Sequence, residues 1–133
     1  MQTNAAMSNE KTLRELMTPH PKTIGAEQTL AIAKKLMSEL GVRHLPVLHG
    51  GQIEGIVSSR DIALVERLPG VDSAKLEVAE AMSMEPYVVS PDTPLKKVAG
   101  EMAEHKYGAC VVMDGREVVG IFTTVDALRE LAG

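Results

Sequence analysis

Residues 55–61 read Gly-Ile-Val-Ser-Ser-Arg-Asp, and residues 120–126, 65 positions later, read Gly-Ile-Phe-Thr-Thr-Val-Asp. Both segments contain glycine, two apolar residues, a hydroxyl, two variable residues and an aspartate. The same gapless step aligns further identical pairs: Met17 and Met82, Pro21 and Pro86, Leu30 and Leu95, Met37 and Met102, Glu39 and Glu104, Val47 and Val112, and Gly50 and Gly115. This spacing predicts two similar halves packed with pseudo-two-fold symmetry, with related clefts near their join. It favours a binding module over an enzyme with one asymmetric site.

The size and composition indicate one compact domain built from two small halves. The chain has 133 residues, of which 44% are hydrophobic. A half of about 60 residues alone would bury only about 60% of the surface of its unfolded chain, so we expect the halves to pack together. Aromatic residues are few, with two Tyr, one Phe and no Trp. A ligand ring is therefore expected to lie between aliphatic side chains.

The charge and the hydropathy argue against several classes of protein. A net charge of −4 is unfavourable for a nucleic-acid partner, because phosphate binding needs a basic surface. No run of about 18 apolar residues predicts a membrane span, and the N-terminus lacks the pattern of a secretory signal. The single cysteine, Cys110, cannot form an internal disulfide, so a cytoplasmic location is expected.

The apolar spacing and the turn residues predict a β-α-β-β-α unit in each half, and hence an α+β fold. In the first half we expect a helix at 11–17, a strand at 22–24, a helix ending at Gly41, strands at 44–48 and 53–58, and a helix at 59–67. In the second half we expect a helix at 76–82, a strand at 87–89, a helix with Thr93 as N-cap and Pro94 as its first residue, strands at 109–113 and 118–123, and a helix at 124–131. The predicted divisions are a disordered N-terminus at 1–9, repeat one at 10–68, a linker at 69–75 and repeat two at 76–133.

The hydroxyl and the aspartate of each segment have the chemistry of a sugar-binding site. Ser58 and Thr123 are predicted at a strand end, and Asp61 and Asp126 in the first turn of the next helix. The three-residue step places both side chains of a pair on one cleft. A carboxylate accepts two hydrogen bonds from the vicinal hydroxyls of a ribose, and a hydroxyl both donates and accepts. Because the amides and dipole of a helix start favour anions, the motif also fits a phosphate.

The same spacing is typical of a capping box, in which Ser or Thr caps a helix and an acidic residue three positions later returns the hydrogen bond. A single motif of this kind favours the cap, since caps are common. Two copies at one period, each after glycine and two apolar residues, favour a ligand site. Both roles are compatible, because Ser58 can cap the helix and bind a ligand.

Across residues 11–131 the chain resembles a tandem pair of CBS (cystathionine β-synthase) domains, also called a Bateman module. The resemblance is carried by Leu16-Met17-Thr18, by Arg43-His44-Leu45-Pro46-Val47 and by the segments 55–61 and 120–126. It implies a non-catalytic regulatory or sensor module that binds AMP, ADP, ATP or S-adenosylmethionine in clefts between the repeats and signals by a conformational or dimer change. It also implies a stand-alone module without an obligatory cofactor, paired into a flat, disc-like homodimer and acting on an effector protein that the sequence does not identify.

The resemblance also implies roles for individual residues. Asp61 and Asp126 would hold ribose hydroxyls. Ser58 and Thr123 would contact ribose or phosphate, and Arg60 would pair with phosphate. The adenine would lie against backbone groups and aliphatic side chains from two sets of residues: Thr23, Ile24, Val88 and Val89 on one side, and His44, Leu45, Pro46, Ala109, Cys110 and Val111 on the other.

The two copies differ where a phosphate would bind. Arg60 of the first copy corresponds to Val125 of the second, and Pro46 corresponds to Val111. We therefore expect the first site to hold a phosphorylated ligand better than the second, unless Lys106 or Arg116 supplies a charge there.

Two other functions stay open at this point, a structural dimerisation module with vestigial clefts and a nucleotide-hydrolysing enzyme. The sequence predicts no catalytic residue and no metal site. Its four histidines fall on different elements, and Cys110 has no evident base and is expected in the core. Gly55 and Gly120 are expected where a side chain would crowd the ligand or the facing repeat. Leu36 is expected on a buried helix face.

Overall fold

The computed structural model describes residues 10–133, and the disorder predicted for 1–9 lies outside them. The helices of this part of the chain are α1 (Leu13–Leu16), α2 (Leu30–Leu40), α3 (Ser59–Glu66), α4 (Leu95–His105) and α5 (Thr124–Ala132). The strands are β1 (Thr18–Pro19), β2 (Ile24–Gly25), β3 (His44–His49), β4 (Gln52–Ser58), β5 (Ser83–Met84), β6 (Val88–Val89), β7 (Ala109–Asp114) and β8 (Glu117–Thr123). The predicted α+β class and the repeated β-α-β-β-α order are confirmed. None of these helices combines the length and the apolar character needed to cross a bilayer.

The chain folds into two compact units whose limits differ from those of the sequence repeats. The central unit contains residues 21–86, and the terminal unit combines residues 10–20 with residues 87–133. The opening segment of each repeat therefore packs in the unit that contains the motif of the other repeat. The predicted repeat boundaries and the linker at 69–75 describe the repeats along the sequence. The division into compact units does not test them, so they stay predictions.

Each unit contains one four-stranded sheet, and the two sheets have the same topology. The strand order is β2-β3-β4-β5 in the central unit and β6-β7-β8-β1 in the terminal unit. In each sheet the first pair is parallel, the second is an antiparallel hairpin and the third is antiparallel. The third pair adds β5 or β1, and neither strand is expected from the sequence. Strands of two residues are too short to show an alternating pattern.

The chain passes between the units at two matched positions of unusual backbone geometry. His20 has a φ of 48° and precedes Pro21, while Glu85 has a φ of 54° and precedes Pro86. A left-handed conformation costs a residue with a side chain about 1–2 kcal/mol. The amide of His20 donates to the carbonyl of Val119 at 3.0 Å, and the amide of Glu85 donates to the carbonyl of Glu54 at 3.3 Å. These hydrogen bonds to the neighbouring strands offset part of that cost.

Each unit has its own apolar core. The central core contains Ile24, Ala26, Leu30, Ala33, Met37, Leu45, Val47, Val57, Ile62 and Val78, and the half-buried Leu36 packs against it, as expected. The terminal core contains Leu13, Val89, Val98, Met102, Cys110, Val112 and Phe122. Leu13 and Val78, which occupy matched positions in the two repeats, are both fully buried. Each opening segment thus contributes a core residue to the unit that it joins.

The matched helices α2 and α4 have different ends. Thr29 caps α2, its hydroxyl accepting from the amide of Ile32, and Gly41 ends it with a φ of 68°. At the matched positions of α4 stand Pro94 as N-cap, without a side-chain bond, and Lys106 with a φ of 60°. The prediction of Thr93 as N-cap was therefore wrong by one residue. Its hydroxyl pairs with that of Ser90, and its carbonyl accepts from the amide of Leu13.

The helix predicted at 76–82 is reduced to one 3₁₀ turn, Val78–Glu80. The amide of Val78 donates to the carbonyl of Gln28 at 2.7 Å, and the amide of Ala79 donates to that of Ala26 at 2.9 Å. Because these bonds tie the segment to the loop before α2, only one turn forms before the chain extends into β5. The strands predicted at 22–24 and 87–89 are likewise short, covering Ile24–Gly25 and Val88–Val89.

Candidate functional site

Both hydroxyl–aspartate segments form capping boxes in the structure. In the central unit, the hydroxyl of Ser58 accepts from the amide of Asp61 at 3.0 Å, and Oδ2 of Asp61 accepts from the amide of Ser58 at 2.9 Å. In the terminal unit, the hydroxyl of Thr123 accepts from the amide of Asp126 at 3.3 Å, and Oδ2 of Asp126 accepts from the amide of Thr123 at 2.9 Å. The helix-capping interpretation is therefore correct in both copies.

The caps leave acceptor capacity on both carboxylates. Within residues 10–133, Oδ1 of Asp61 accepts no hydrogen bond, and Oδ1 of Asp126 makes one ion-pair contact, to the guanidinium of Arg129 at 4.0 Å. Both aspartates are half-buried, and the side chain of Asp126 is 14% exposed. A half-buried carboxylate with an unused oxygen is suited to accept from a ligand hydroxyl. The caps hold that oxygen in place relative to the strand end.

The two hydroxyls differ in how they use their protons. Thr123 donates its hydroxyl proton to Oδ2 of Asp126 at 3.1 Å. The hydroxyl of Ser58 makes no such bond to Asp61 and, among the described residues, only accepts. Ser58 therefore retains a donor that Thr123 has already used.

Strand pairing brings further predicted site residues to each capping box. His44, at the start of β3, pairs with Ser58 at the end of β4, and Ala109 pairs with Thr123 in the same way. In the parallel pairs, Ile24 lies opposite Val47, and Val88 lies opposite Val111. By the same register, Thr23 lies level with Pro46. Each unit thus gathers its own share of the predicted residues along one sheet.

Burial limits how several of these residues could contact a ligand. Leu45, Pro46, Cys110 and Val111 are at most 1–2% exposed, Ile24, Val89 and Ala109 are nearly buried, and Val88 is 41% exposed. The fully buried side chains leave mainly backbone groups for recognition. Burial raises the pKa of the Cys110 thiol to about 12, so a reactive thiolate is not formed there at neutral pH. Cys110 is a core residue, as expected.

The cations around the two boxes are not equivalent. Arg60 is exposed and makes no ion pair or hydrogen bond within residues 10–133, and Val125 at the matched position is 47% exposed. Arg129 lies one helical turn beyond Asp126, where the central unit has Leu64. Lys106 and Arg116 are the cations expected from the sequence near the second site, whereas Arg129 was not expected there. The three-residue spacing from Asp126 would have indicated it.

The described residues contain no group of three His, Cys, Asp or Glu side chains close enough to hold a metal ion. The groups present at the two sites are a carboxylate, a hydroxyl, helix-start amides and strand backbone.

Known proteins share the duplicated sequence and the fold described above. The family model of the CBS domain matches residues 13–66 and 78–133. The CBS domain-containing protein YhcV of Bacillus subtilis is 31% identical over 114 residues, which cover 86% of this chain and 81% of YhcV. The solved CBS domain pair of protein MJ0100, in complex with 5′-methylthioadenosine and S-adenosyl-L-methionine, is 25% identical with a TM-score of 0.80, covering 93% of this chain and 98% of that one. CBSX2 in complex with AMP is 25% identical with a TM-score of 0.75, covering 92% and 96%.

Several curated relatives are enzymes, and the chain spans only between 13% and 25% of their lengths. It matches the larger part of YhcV and nearly all of the two solved pairs. The duplicated capping boxes, the matched sheets and the two family matches lead to one assignment. The chain belongs to the CBS domain family and consists of a tandem pair of CBS domains.

Proposed function

We propose that this CBS pair is a regulatory module that binds an adenosine-containing ligand, such as AMP, ADP, ATP or S-adenosylmethionine, at its hydroxyl–aspartate sites. The observation that carries the proposal is the duplicated half-buried aspartate, whose Oδ2 caps a helix while Oδ1 stays available. The relatives with bound AMP, 5′-methylthioadenosine and S-adenosyl-L-methionine support this ligand class.

Recognition of the sugar and the base follows from the groups at each site. Oδ1 of Asp61 or Asp126 accepts from a ribose hydroxyl, and the second lone pair of Oδ2 can accept from its neighbour. The adenine lies on aliphatic side chains, and strand backbone groups near Thr23 and Val88 read its polar edge. Because burying one face of the ring contributes only about 1–2 kcal/mol, the backbone hydrogen bonds select the base.

The central site binds a phosphorylated ligand better than the terminal site. Ser58 has a hydroxyl proton to donate, and Arg60 has an unpaired guanidinium at the start of α3. At the terminal site the proton of Thr123 is already donated to Asp126, and Val125 replaces the arginine. Arg129 is a cation near that site, but its guanidinium lies 4.0 Å from Oδ1 of Asp126, so it is placed beside the aspartate and not at the position of Arg60.

The module is non-catalytic and works as a cytoplasmic sensor. Its one thiol is buried and protonated, and its two site hydroxyls serve as helix caps. Ligand binding would shift a conformational or dimer equilibrium by as much as the ligand's affinities for the two states differ. The effector is a separate protein or domain that reads this shift.

Calorimetry with AMP and with adenosine tests the sites separately from the fold. We expect Asp61→Asn and Asp126→Asn to keep the capping bond, because the amide oxygen still accepts, but to weaken both ligands. Arg60→Gln should weaken AMP by about tenfold to a hundredfold, as expected for a charge-assisted hydrogen bond of about 1.5–3 kcal/mol, and leave adenosine unchanged. Arg67→Gln removes an equal charge from the other end of α3 and serves as the control.

The competing functions give different outcomes in the same experiments. A structural module would show no thermal shift with any adenosyl ligand, whereas a ligand at 100 times its dissociation constant stabilises the fold by about 2.7 kcal/mol. A hydrolase would release phosphate from ATP at high protein concentration. Equal loss of AMP affinity in Arg60→Gln and Arg67→Gln would contradict the assignment of Arg60.

The module also pairs with a second copy of itself through α5. Val125, Leu128 and Leu131 form an apolar stripe on this helix and are 47%, 62% and 82% exposed. In sedimentation experiments, Leu128→Glu should therefore convert a dimer to a monomer. Ile32→Glu, on an exposed position of α2, should leave the dimer intact, and a monomeric parent protein would refute the pairing.

A further inference from the structure

A groove of about 470 Å³ lies on the central unit between α2 and α3, and neither Ser58 nor Asp61 lines it. Its size is within the range of small-molecule sites. Met37 and Ile62, almost fully buried, form its apolar floor, with Val42 and Ala63 beside them. The polar residues of the groove are Lys34, Ser38, Arg43, Ser59 and Glu66.

One end of the groove is electrically balanced. Lys34 Nζ lies 2.9 Å from Oε2 and 3.2 Å from Oε1 of Glu66. The hydroxyl of Ser73 also donates to Glu66. These two hydrogen bonds lower the pKa of the Glu66 carboxyl. The carboxylate and the ammonium are therefore engaged with each other, and neither is the dominant charge presented to a ligand.

The other end of the groove has an uncompensated positive charge. The carbonyl of Arg43 accepts from the amide of Ser59 at 2.9 Å, which fixes the start of β3 against the start of α3. The guanidinium of Arg43 has no ion pair or hydrogen bond with residues 10–133. Ser59 adds a hydroxyl without a hydrogen bond to those residues. This end therefore offers a cation and a donor next to an apolar floor.

The matched positions of the terminal unit show that the fold does not require these polar groups. Arg43, Lys34, Ser38 and Glu66 correspond, 65 residues later, to Gly108, Ala99, Ala103 and Leu131. Both units nevertheless have the same sheet topology and paired helices. The charged lining is specific to the central unit and needs an explanation other than folding.

We propose that this groove binds a small monoanion with an apolar body, namely a carboxylate attached to an aliphatic chain. Arg43 and Ser59 bind the carboxylate, and Met37, Val42 and Ile62 contact the chain. The Lys34–Glu66 pair closes the far end and limits the length of the body. The proposal does not rest on the function proposed for the hydroxyl–aspartate sites.

Octanoate is the probe, and 1-octanol is its uncharged match. In ¹H–¹⁵N correlation spectra of the full chain, octanoate at concentrations on the order of 1–10 mM, suited to a weak site, should shift the amides of Val42, Arg43 and Ile62. The amides of Ile24 and Gly108 should stay in place. In Arg43→Gln the dissociation constant for octanoate should rise about tenfold or more, as expected for loss of a charge-assisted contact. Arg67→Gln should bind octanoate as the parent does, and neither change should alter binding of 1-octanol.

Other results would overturn the site. Equal effects of Arg43→Gln and Arg67→Gln would mean that only net charge attracts octanoate. Shifts spread over both units would mean non-specific binding. Groove amides that move with protein concentration in the absence of octanoate would place a second copy of the chain there instead.

Discussion

Leu13→Ala should lower the free energy of unfolding by about 3 kcal/mol, within the usual range for a buried leucine. Leu13 is fully buried in the core of the terminal unit. Backbone hydrogen bonds join the segment around it to that unit. The amide of Leu13 donates to the carbonyl of Thr93 at 3.0 Å, and the amide of Leu95 donates to the carbonyl of Lys11 at 2.9 Å. Removing its side chain therefore leaves a cavity beneath β7 and β8, far along the sequence from residue 13.

Hydrogen exchange locates the effect. Leu13→Ala should reduce protection in β7 and β8 more than in β3 and β4. Val78→Ala is the matched control, because Val78 is equally buried at the corresponding position of the other repeat. It should lose about 2 kcal/mol for its smaller side chain and reduce protection in β3 and β4. If Leu13→Ala instead reduced protection in β3 and β4, it would contradict the packing of the first opening segment, residues 10–20, in the terminal unit.

Gly55→Ala should cost about 3 kcal/mol, at the upper end for an overpacked site. A Cβ at Gly55 would lie 2.5 Å from the carbonyl oxygen of Ser83 and 2.8 Å from the sulfur of Met82. The Ser83 oxygen is part of the backbone of β5, so it cannot move without breaking the β4–β5 pairing. At Gly120 the crowding atoms belong to the side chain of Met17, with its Cγ at 2.9 Å. The sulfur and Cγ of Met17 can turn away, whereas its Cβ at 3.2 Å is fixed by the backbone, so Gly120→Ala should cost less than Gly55→Ala, about 1–2 kcal/mol.

Double mutants measured by chemical denaturation separate the two cases. Met17→Ala removes the sulfur and Cγ that crowd Gly120 and leaves only the Cβ, 3.2 Å from the new methyl group, so Gly120→Ala should cost less in that background, with a coupling of about 1 kcal/mol. Met82→Ala leaves the Ser83 carbonyl in place, so Gly55→Ala should keep most of its cost there. Additive losses at Gly120 would show that its neighbour is not the methionine. The expectation that a side chain at these glycines would crowd the facing repeat is confirmed, because Met82 and Ser83 belong to the second repeat and Met17 to the first.

The elements with strong local signals were predictable. The helix α2 has an apolar stripe and a glycine end, and the hairpins β3–β4 and β7–β8 have turn glycines between apolar strands. The capping boxes also follow from local spacing, because a hydroxyl and an acid three residues apart meet at any helix start. The 3₁₀ turn at Val78–Glu80 and the cap at Pro94 were not predictable from such signals. Their geometry depends on which backbone groups other segments use.

The candidate sites likewise have features that the sequence predicts and features that only the structure shows. The spacing predicted which hydroxyl meets which aspartate, but it did not show that Thr123 donates to Asp126 while Ser58 keeps its proton. Nor did it show that Arg43 faces a groove whose other charges are paired. These properties arise from side-chain positions that depend on the packing of several elements at once.

By itself, the amino-acid sequence determined the duplication, which is a period of 65 residues. It also determined the α+β order of elements and the pairing of each hydroxyl with its aspartate, since both arise from periodicities or contacts within one repeat. Only the tertiary structure decided that residues 10–20 complete the unit formed by 87–133, and that β5 completes the sheet of the central unit. A two-residue strand satisfies its hydrogen bonds on whichever sheet edge the chain can reach, and a buried side chain such as Leu13 stabilises whichever core it enters. No local pattern specifies that choice, because its free energy comes from partners distant in the sequence, about 80 to 110 residues away for residues 10–20 and about 30 residues away for β5.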